Sequence, residues 1–338
     1  MSWLKKYGAG KGAWAGVVHA TNSTGYESSL VTGASEGIGR EFALQLAQKG
    51  FNVLVSARNA SALATLLAEI GRFPQYDCVG FVNITHGKAE MKSPRDNKVQ
   101  AKAVTMDFSK VDDAAQWKRF EAELEGLDIG VLVNNVGKSY TYPMDFADAP
   151  VQDMEDILAI NVTATTRVTK LILPGMVQRK RGLIVSLGSF SGVSIASPML
   201  ATYAGSKSYL ASFSACLAEE VKSKGIDVET LNTYFVVSNM SKIRRASAFI
   251  PTPKAYVKTA LSKARWPSVR CVVDRPPARH YSILEPRPAG LGHVRDADMG
   301  CPQNAIGWNA AYIYYTHELH RDIQRRALRK LEREAKKQ

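Results

Sequence analysis

The sequence predicts an α/β fold in which helices cover both faces of a doubly wound, mainly parallel sheet. Three observations indicate this fold. Short apolar runs alternate with segments of helical periodicity from residue 31 onward, a glycine-rich turn follows the first run, and 338 residues with 45% hydrophobic content can bury one large core. We therefore expect a single domain over residues 31–264. An irregular segment, 1–30, precedes it, an irregular or disordered segment, 265–302, follows it, and residues 303–338 form a basic helical tail.

Apolar patterning places the elements of this domain. The run at 129–133 is continuously apolar, as expected of a parallel strand that is covered on both faces. Asn59 is predicted to cap the second helix. The order of elements is that of a Rossmann-like sheet. Strands are predicted at 31–33, 51–57, 101–107, 129–133, 182–187 and 227–235, and helices at 38–50, 61–70, 111–124, 154–173 and 203–224.

Three segments depart from this pattern. Residues 16–30 are polar and stand where the first strand should run, so we interpret them as an insertion. Residues 82–102 are long and irregular, and residues 265–302 contain six prolines and six arginines without periodicity. Our hypothesis is that some of these segments are translated intron or out-of-frame sequence.

Charge and composition narrow the classes of partner and site. A net charge of +13 favours an anionic partner: nucleic acid, anionic lipid or a phosphate-bearing small molecule. Nucleic acid is disfavoured, because the basic residues lack interleaved aromatics on a recognisable module. The four cysteines are far apart and form no CxxC pair, so we expect neither a metal site nor a disulfide framework. No apolar run is long enough for a membrane span, and the N-terminus does not have the pattern of a signal peptide.

The turn at residues 32–39, TGASEGIG, links a strand to a helix and is a candidate nucleotide site. Its glycines permit a tight turn and let the backbone approach a pyrophosphate at the helix N-terminus. At the end of the second strand, Arg58 stands where NAD enzymes usually carry an acidic residue. An arginine there can pair with a 2′-phosphate, so NADPH is favoured over NADH, with Arg40 a second candidate for the same contact.

Tyr203 and Lys207 are four residues apart, on one face of a predicted helix. We expect the lysine cation to lower the pKa of the phenol toward the working range of an acid–base catalyst. Ser189 lies fourteen residues before Tyr203, at a strand end, where its hydroxyl could hold a substrate carbonyl. Ser191 is a rival for that role. Asn161 is a candidate anchor for a water that connects Lys207 to solvent.

The glycine turn, the NNVG string at 134–137, the strand-end serine and YxxxK, in this order, resemble the short-chain dehydrogenase/reductase family. The resemblance implies reduction of a ketone by NADPH with Tyr203 as proton donor. It implies a catalytic tetrad of Asn161, Ser189, Tyr203 and Lys207. It also implies cofactor contacts at Val31, Gly33, Ser35, Gly37, Ile38, Gly39, Arg58, Asp107, Asn134, Tyr203 and Lys207.

A narrower likeness follows the tetrad. The run at 234–245, YFVVSNMSKIRR, is similar to that of the microsomal very-long-chain 3-oxoacyl-CoA reductases. The likeness implies an acyl-CoA substrate, Val236 and Ser238 beside the nicotinamide, and a place on the cytosolic face of the endoplasmic reticulum membrane. Other elongation enzymes at that membrane and a second copy of the chain are the implied protein partners. Lys242, Arg244 and Arg245 are candidates to meet the CoA phosphates.

Two other hypotheses about the function of the chain remain open. The same chemistry could act on a steroid or another hydrophobic ketone. Alternatively, the chain could be a catalytically inactive scaffold, which the interrupted first strand favours and the intact tetrad opposes.

Overall fold

The computed structural model describes residues 28–73, 76–83, 88–90, 99–194, 196–247, 250–263 and 302–336. Eight strands form one sheet in the order β4-β3-β5-β2-β1-β6-β7-β8, and all neighbouring pairs are parallel except β3 and β4. The strands are β1 Ser28–Thr32, β2 Asn52–Ala57, β3 Tyr76–Asn83, β4 Lys88–Glu90, β5 Val99–Thr105, β6 Ile129–Asn134, β7 Gly182–Ser186 and β8 Ile226–Thr230.

Helices pack on both faces of this sheet, as the sequence predicts. In chain order they are α1 Gly37–Gln48, α2 Ala60–Ile70, α3 Ala114–Leu124, α4 Val151–Leu158, α5 Thr165–Arg179, α6 Phe190–Val193, α7 Ala201–Lys222, α8 Pro253–Lys263 and α9 Pro302–Ala335. One core lies between the sheet and α1, α2 and α8, and the other between the sheet and α3, α5 and α7. Asn59 caps α2, because its side chain accepts a hydrogen bond from the backbone N–H of Ala62 at 3.0 Å.

The first strand corrects the predicted boundary at residue 31. β1 begins at Ser28, so the last three residues of the expected insertion belong to the sheet. Both serines are buried, and Ser29 donates from Oγ to the backbone oxygen of Asn52 at 3.0 Å. Because the neighbouring strand satisfies this hydroxyl, a polar sequence can run through the centre of the sheet. Residues 1–27, which include most of that expected insertion, lie outside the described ranges.

Three other predicted boundaries are wrong. Residues 82–102 are not wholly irregular, since the end of β3, all of β4 and the start of β5 fall within them. The last strand ends at Thr230 rather than residue 235, because the chain turns away to cross the carboxyl edge of the sheet. The single helix expected at 154–173 runs from 151 to 179 in three parts, with a π-helical stretch, Ala159–Ala164, between α4 and α5.

The C-terminal tail is helical, as predicted, and its helix α9 begins at Pro302. His320 is buried, and its Nδ1 lies 2.6 Å from the backbone oxygen of Pro198, to which it donates. This contact fixes α9 beside the chain segment that leads into α7. Apart from Pro302, residues 265–302 lie outside the described ranges. Within those ranges, no helix has both the length and the apolar character of a membrane span.

Candidate active site

The site lies at the carboxyl edge of the sheet, where the chain crosses from β1 toward β2 on one side and from β6 toward β7 on the other. Strand order reverses here, which is where ligands bind in sheets of this type. The glycine turn follows β1, and α1 begins at Gly37. Gly33 and Gly37 have φ of +64° and +58°, in the left-handed region that only glycine adopts without strain. A Cβ on Gly33 would also lie 2.8 Å from the Cα of Val136.

Asn135 clamps this turn, and the sequence analysis did not single it out. Its Nδ2 donates to the backbone oxygens of Thr32 at 3.0 Å and Gly33 at 2.9 Å. The backbone N–H groups of Asn135 and Val136 both donate to Thr32 Oγ1 at 3.1 Å. The doubled asparagine after β6 was the available signal. The turn that would face a pyrophosphate is therefore held from below by the neighbouring strand end.

Two predicted cofactor contacts have their side chains in the core. Asn134 is 3% exposed, and its Nδ2 donates to Thr169 Oγ1 at 2.9 Å. Val31 is fully buried in the core beneath α1. Neither side chain reaches the cleft, so only the backbone atoms of Val31 and Asn134 could make the expected cofactor contacts. Ser35, Gly37 and Ile38 are partly exposed along the turn, whereas Gly39 is buried against Asn135.

The two arginine candidates for a 2′-phosphate differ in their surroundings. Arg40 is paired with Glu69 of α2. Arg58 is exposed at the end of β2 and has no ion pair or hydrogen bond to another described residue. The geometry therefore favours Arg58 over Arg40. Asp107, the predicted adenine-side contact, holds its own loop, because its Oδ1 accepts from the N–H and Oγ of Ser109 at 3.0 and 2.8 Å.

Tyr203 lies in the first turn of α7, and its hydroxyl faces the Ser189 side chain across the cleft, near enough for that side chain to act on the pKa of the phenol. Ser189 is the N-cap of the short helix α6, and its Oγ also accepts from the N–H of Ser191 at 3.2 Å. The contact between the two serines is therefore made by the backbone N–H of Ser191 and not by its hydroxyl. Of the two serines left open by the sequence, Ser189 is the one that the structure brings to Tyr203.

Lys207 lies one turn further along α7 and is almost completely buried, with 6% exposed. Its Nζ donates to the backbone oxygen of Leu187 at 2.7 Å and lies 5.9 Å from the centroid of the Tyr203 ring. Burial lowers the pKa of Lys207 to about 8. The pKa of Tyr203 is raised by burial, which outweighs the lowering by the nearby Ser189 side chain.

The expectation that Lys207 lowers the pKa of Tyr203 is thus wrong for this structure. Removal of the phenol from water dominates, and the ammonium is directed to Leu187 rather than to the phenol oxygen. Burial therefore favours the protonated phenol, which is the form that a proton donor needs.

Asn161 occupies the π-helical stretch between α4 and α5, a distortion that often marks functional positions. Its Oδ1 accepts from the N–H of Lys138 at 2.8 Å, and its Nδ2 donates to Lys138 O and Ser206 Oγ, both at 2.9 Å. Asn161 thus joins the loop after β6 to α7 beside Lys207. Because a carbonyl oxygen can accept two hydrogen bonds, these contacts do not preclude a water on Asn161, and the predicted relay stays a prediction.

An apolar cluster lines the substrate side of Tyr203. Tyr140, Met144 and Ile157 are buried together, and Leu200 and the ring of Tyr203 pack against them. The loop that carries this cluster is tied to the segment before α7, because the N–H of Met144 donates to Met199 O at 3.0 Å. The arrangement places a partly buried phenol and a hydroxyl against an apolar wall, which suits a ketone on a hydrophobic substrate.

The segment after β8 completes the cleft. Val236 is buried in the core, and a Cβ on Gly37 would lie 3.9 Å from the Cβ of Ser238. The structure therefore brings Ser238 to the glycine turn, and the nicotinamide contacts of Val236 and Ser238 stay predictions. Asn239 donates to Glu36 in the same turn.

Comparison with known proteins agrees with this geometry. The sequence profile described as short chain dehydrogenase matches residues 27–86 and 81–248. The chain is 47% identical over 339 residues to the very-long-chain 3-oxoacyl-CoA reductase of Laccaria bicolor, covering 99% of this chain and 84% of the relative. It is 45% identical over 342 residues to the protein of the same name from Coprinopsis cinerea, with the same two coverages.

Solved structures share the fold. A 7beta-hydroxysteroid dehydrogenase structure superposes with a TM-score of 0.60 at 22% identity, covering 80% of this chain and 89% of that one. A short-chain dehydrogenase from Sphingobium yanoikuyae in complex with NADPH superposes with a TM-score of 0.57 at 24% identity, covering 70% and 83%.

Proposed function

The chain belongs to the short-chain dehydrogenase family, and we propose that it reduces very-long-chain 3-oxoacyl-CoA to 3-hydroxyacyl-CoA with NADPH, as a step of fatty-acid elongation. The observation that carries the chemistry is the contact of the Tyr203 hydroxyl with Ser189, with Lys207 buried one turn away. The substrate class is supported by relatives that carry this name at 45–47% identity over 99% of the chain.

The residues of the turn suit a dinucleotide. The backbone of Gly33 and Gly37 adopts the left-handed conformation, and a Cβ on Gly37 would meet nothing nearer than Ser238 at 3.9 Å, so there is room for a phosphate at the N-terminus of α1. Arg58 is available for a 2′-phosphate. When bound, the dihydronicotinamide supplies the hydride.

The protein side of the reaction is proton supply and orientation. Ser189 would hold the ketone oxygen beside the phenol, because the two side chains lie near each other across the cleft. Tyr203 would donate its proton to that oxygen as negative charge develops on it. Lys207 would hold α7, and with it Tyr203, against the end of β7, and the apolar wall formed by Tyr140, Met144 and Ile157 would keep water from the site.

The finer localisation, on the cytosolic face of the endoplasmic reticulum membrane, is also a proposal, and α9 supports contact with a membrane surface. Beyond His320 every described side chain of α9 is partly or fully exposed, with Leu328 41% and Leu331 48% exposed. Ile323, Ala327 and Leu331 recur every four residues along one side, and residues 321–335 contain six Lys or Arg and three Asp or Glu. Amphipathic basic helices of this type bind anionic bilayers. Other elongation enzymes and a second copy of the chain remain predicted partners.

Turnover of competing substrates tests the proposal. Purified protein should oxidise NADPH with a long-chain 3-oxoacyl-CoA and do so much more slowly with a 17-ketosteroid. Tyr203→Phe should reduce turnover by roughly 10²- to 10⁴-fold while NADPH binding, followed by fluorescence, is retained. Turnover of the steroid but not of the thioester would contradict the proposal and favour the hypothesis of a steroid substrate. Absence of saturable NADPH binding would leave the hypothesis of a catalytically inactive scaffold. That hypothesis was favoured by an interrupted first strand, whereas β1 is a buried strand in the structure.

A further inference from the structure

The loop between β8 and α8 spans the mouth of the cleft. On one side it contacts the glycine turn, where Asn239 donates to the Glu36 carboxylate. On the other side, Lys242 donates from Nζ to the backbone oxygen of Thr141, in the loop that carries the apolar cluster beside Tyr203. The β8–α8 loop is therefore fixed both to the cofactor side and to the substrate side of the site.

A serine network holds this loop in one conformation. Ser241 donates from Oγ to Val236 O at 2.6 Å, and its N–H donates to Ser238 Oγ at 3.1 Å. A β-bridge joins Ser238 and Ile243. Lys242 has φ of +56°, a left-handed conformation that is uncommon for a residue other than glycine. The turn thus fixes the backbone immediately before two arginines.

Arg244 and Arg245 are exposed on this turn and make no ion pair or hydrogen bond with another described residue. Two other cations near the cleft are engaged. Lys138 binds Asp153 at 2.8 Å and Asp156 at 2.7 Å, and Arg40 binds Glu69. The guanidinium groups of these two consecutive, exposed residues are therefore available for an anionic ligand.

We propose that Arg244 and Arg245 bind the phosphate groups of the CoA moiety at the mouth of the cleft, while the thioester end reaches Tyr203. The inference rests on the proposed function and names the part of the substrate that these residues recognise. Guanidinium groups make paired, charge-assisted hydrogen bonds with phosphate oxygens. Lys242 serves as a positioning residue, because its ammonium is used to tie the loop to Thr141.

Two substrates, one with and one without the CoA phosphates, distinguish phosphate binding by Arg244 and Arg245 from a general effect on the enzyme. The variant Arg244→Ala/Arg245→Ala is assayed with a 3-oxoacyl-CoA and with the N-acetylcysteamine thioester of the same acyl group, which has no phosphate. We expect KM for the CoA thioester to rise by about tenfold to a hundredfold, since each charge-assisted contact is worth about a factor of ten or more. KM for the truncated thioester and kcat for both should change less than about twofold, well under that factor of ten.

The control removes the same amount of charge elsewhere. Lys222→Ala/Lys224→Ala acts at the C-terminal end of α7, about 28 Å along that helix from Tyr203, and should leave both KM values unchanged. Arg244→Lys/Arg245→Lys should recover part of the loss. Equal changes in KM for the two thioesters, or no change in either, would overturn the proposal.

A binding measurement covers the case in which neither thioester is turned over, which would count against the proposed function instead. Calorimetric titration of coenzyme A into protein saturated with NADP⁺ should give a dissociation constant that rises by about tenfold or more in the double arginine variant. Equal affinity of the two proteins for coenzyme A would exclude the site.

Discussion

Lys207 donates from Nζ to the backbone oxygen of Leu187 at 2.7 Å, which ties the helix carrying Tyr203 to the end of β7. The lysine reaches this carbonyl through the core, and its ammonium is therefore held in a place from which water is largely removed. Tyr203 and Lys207 lie about one helical turn apart on α7. The bond to Leu187 therefore holds both candidate catalytic groups in place relative to β7.

This burial predicts a pH-dependent stability. The pKa of Lys207 is lowered from its ordinary value of 10.5 to about 8 in the folded chain. Between those values the unfolded chain binds the extra proton, so the destabilising effect is complete below about pH 8 and is relieved as pH rises toward 10.5. Relative to the wild type, Lys207→Met should therefore lose about 2 to 3 kcal/mol of unfolding free energy between pH 7 and pH 10.

Urea denaturation at the two pH values measures this difference. The matched control is Lys222→Met, at an exposed position near the end of the same helix, and it should show no such trend. A pH-independent difference between Lys207→Met and the wild type would show that the ammonium is not desolvated as the structure indicates.

The two serines before α7 should differ in their effect on turnover. Ser189→Ala removes the hydroxyl that lies beside Tyr203, and we expect kcat to fall by about 10²- to 10³-fold, as for loss of one oxyanion donor. Ser191→Ala keeps the backbone N–H that donates to Ser189 Oγ and should retain kcat within about threefold, a much smaller loss than that expected for an oxyanion donor. Steady-state kinetics of the two variants decides, and the opposite ranking would assign the role to Ser191.

Two glycines within the site should respond in opposite ways to alanine. A Cβ on Gly39 would come well under 3.0 Å from Asn135 Nδ2 and from the Gly33 carbonyl oxygen, so the clamp on the turn must shift. We expect Gly39→Ala to cost about 1 to 3 kcal/mol of unfolding free energy and to weaken NADPH binding. Gly205, between Tyr203 and Lys207, has nothing within 4 Å of such a Cβ.

Gly205→Ala is therefore the matched variant, expected to stabilise α7 by up to about 1 kcal/mol with unchanged NADPH affinity. Urea midpoints and fluorescence titration measure both quantities. Equal destabilisation by the two substitutions would mean that the contact of Gly39 with Asn135 is not what the turn requires.

Cofactor preference should depend on Arg58. Arg58→Ala is expected to lower kcat/KM with NADPH by about tenfold to a hundredfold and to leave the value with NADH nearly unchanged, because only NADPH carries the 2′-phosphate. Arg40→Ala, whose side chain is already paired with Glu69, should preserve the preference for NADPH. If instead Arg40→Ala abolishes the preference, the two arginines have exchanged the roles assigned to them.

Periodicity in the sequence located the elements well but not their ends. The helix predicted at 154–173 is one apolar pattern, yet the structure breaks it with a π-helical stretch so that Asn161 reaches the backbone of Lys138. Apolar patterning carries no signal for such an insertion. Ser28 and Ser29 were assigned to an insertion because serine is polar, whereas the adjacent backbone of β2 satisfies the Ser29 hydroxyl.

In the candidate site, too, some features could be predicted from the sequence and others only from the structure. The spacing of Tyr203 and Lys207 on one helix face was evident from the sequence, because four residues make about one helical turn. The choice of Ser189 over Ser191, and the part played by Asn135, depend on hydrogen bonds between segments far apart in the chain. No local pattern encodes which of two adjacent asparagines faces the turn.

Residue types and their spacing alone determined the chemistry available to this protein: a phenol, an ammonium and a glycine turn on a parallel sheet. Tertiary structure alone decided the electrostatics. Burial of Tyr203 raises its pKa, where the sequence predicted a lowered one, and Lys207 is directed to Leu187. The physical reason is that a pKa depends on how much water surrounds a group and where its neighbours point, and neither is set by distance along the chain.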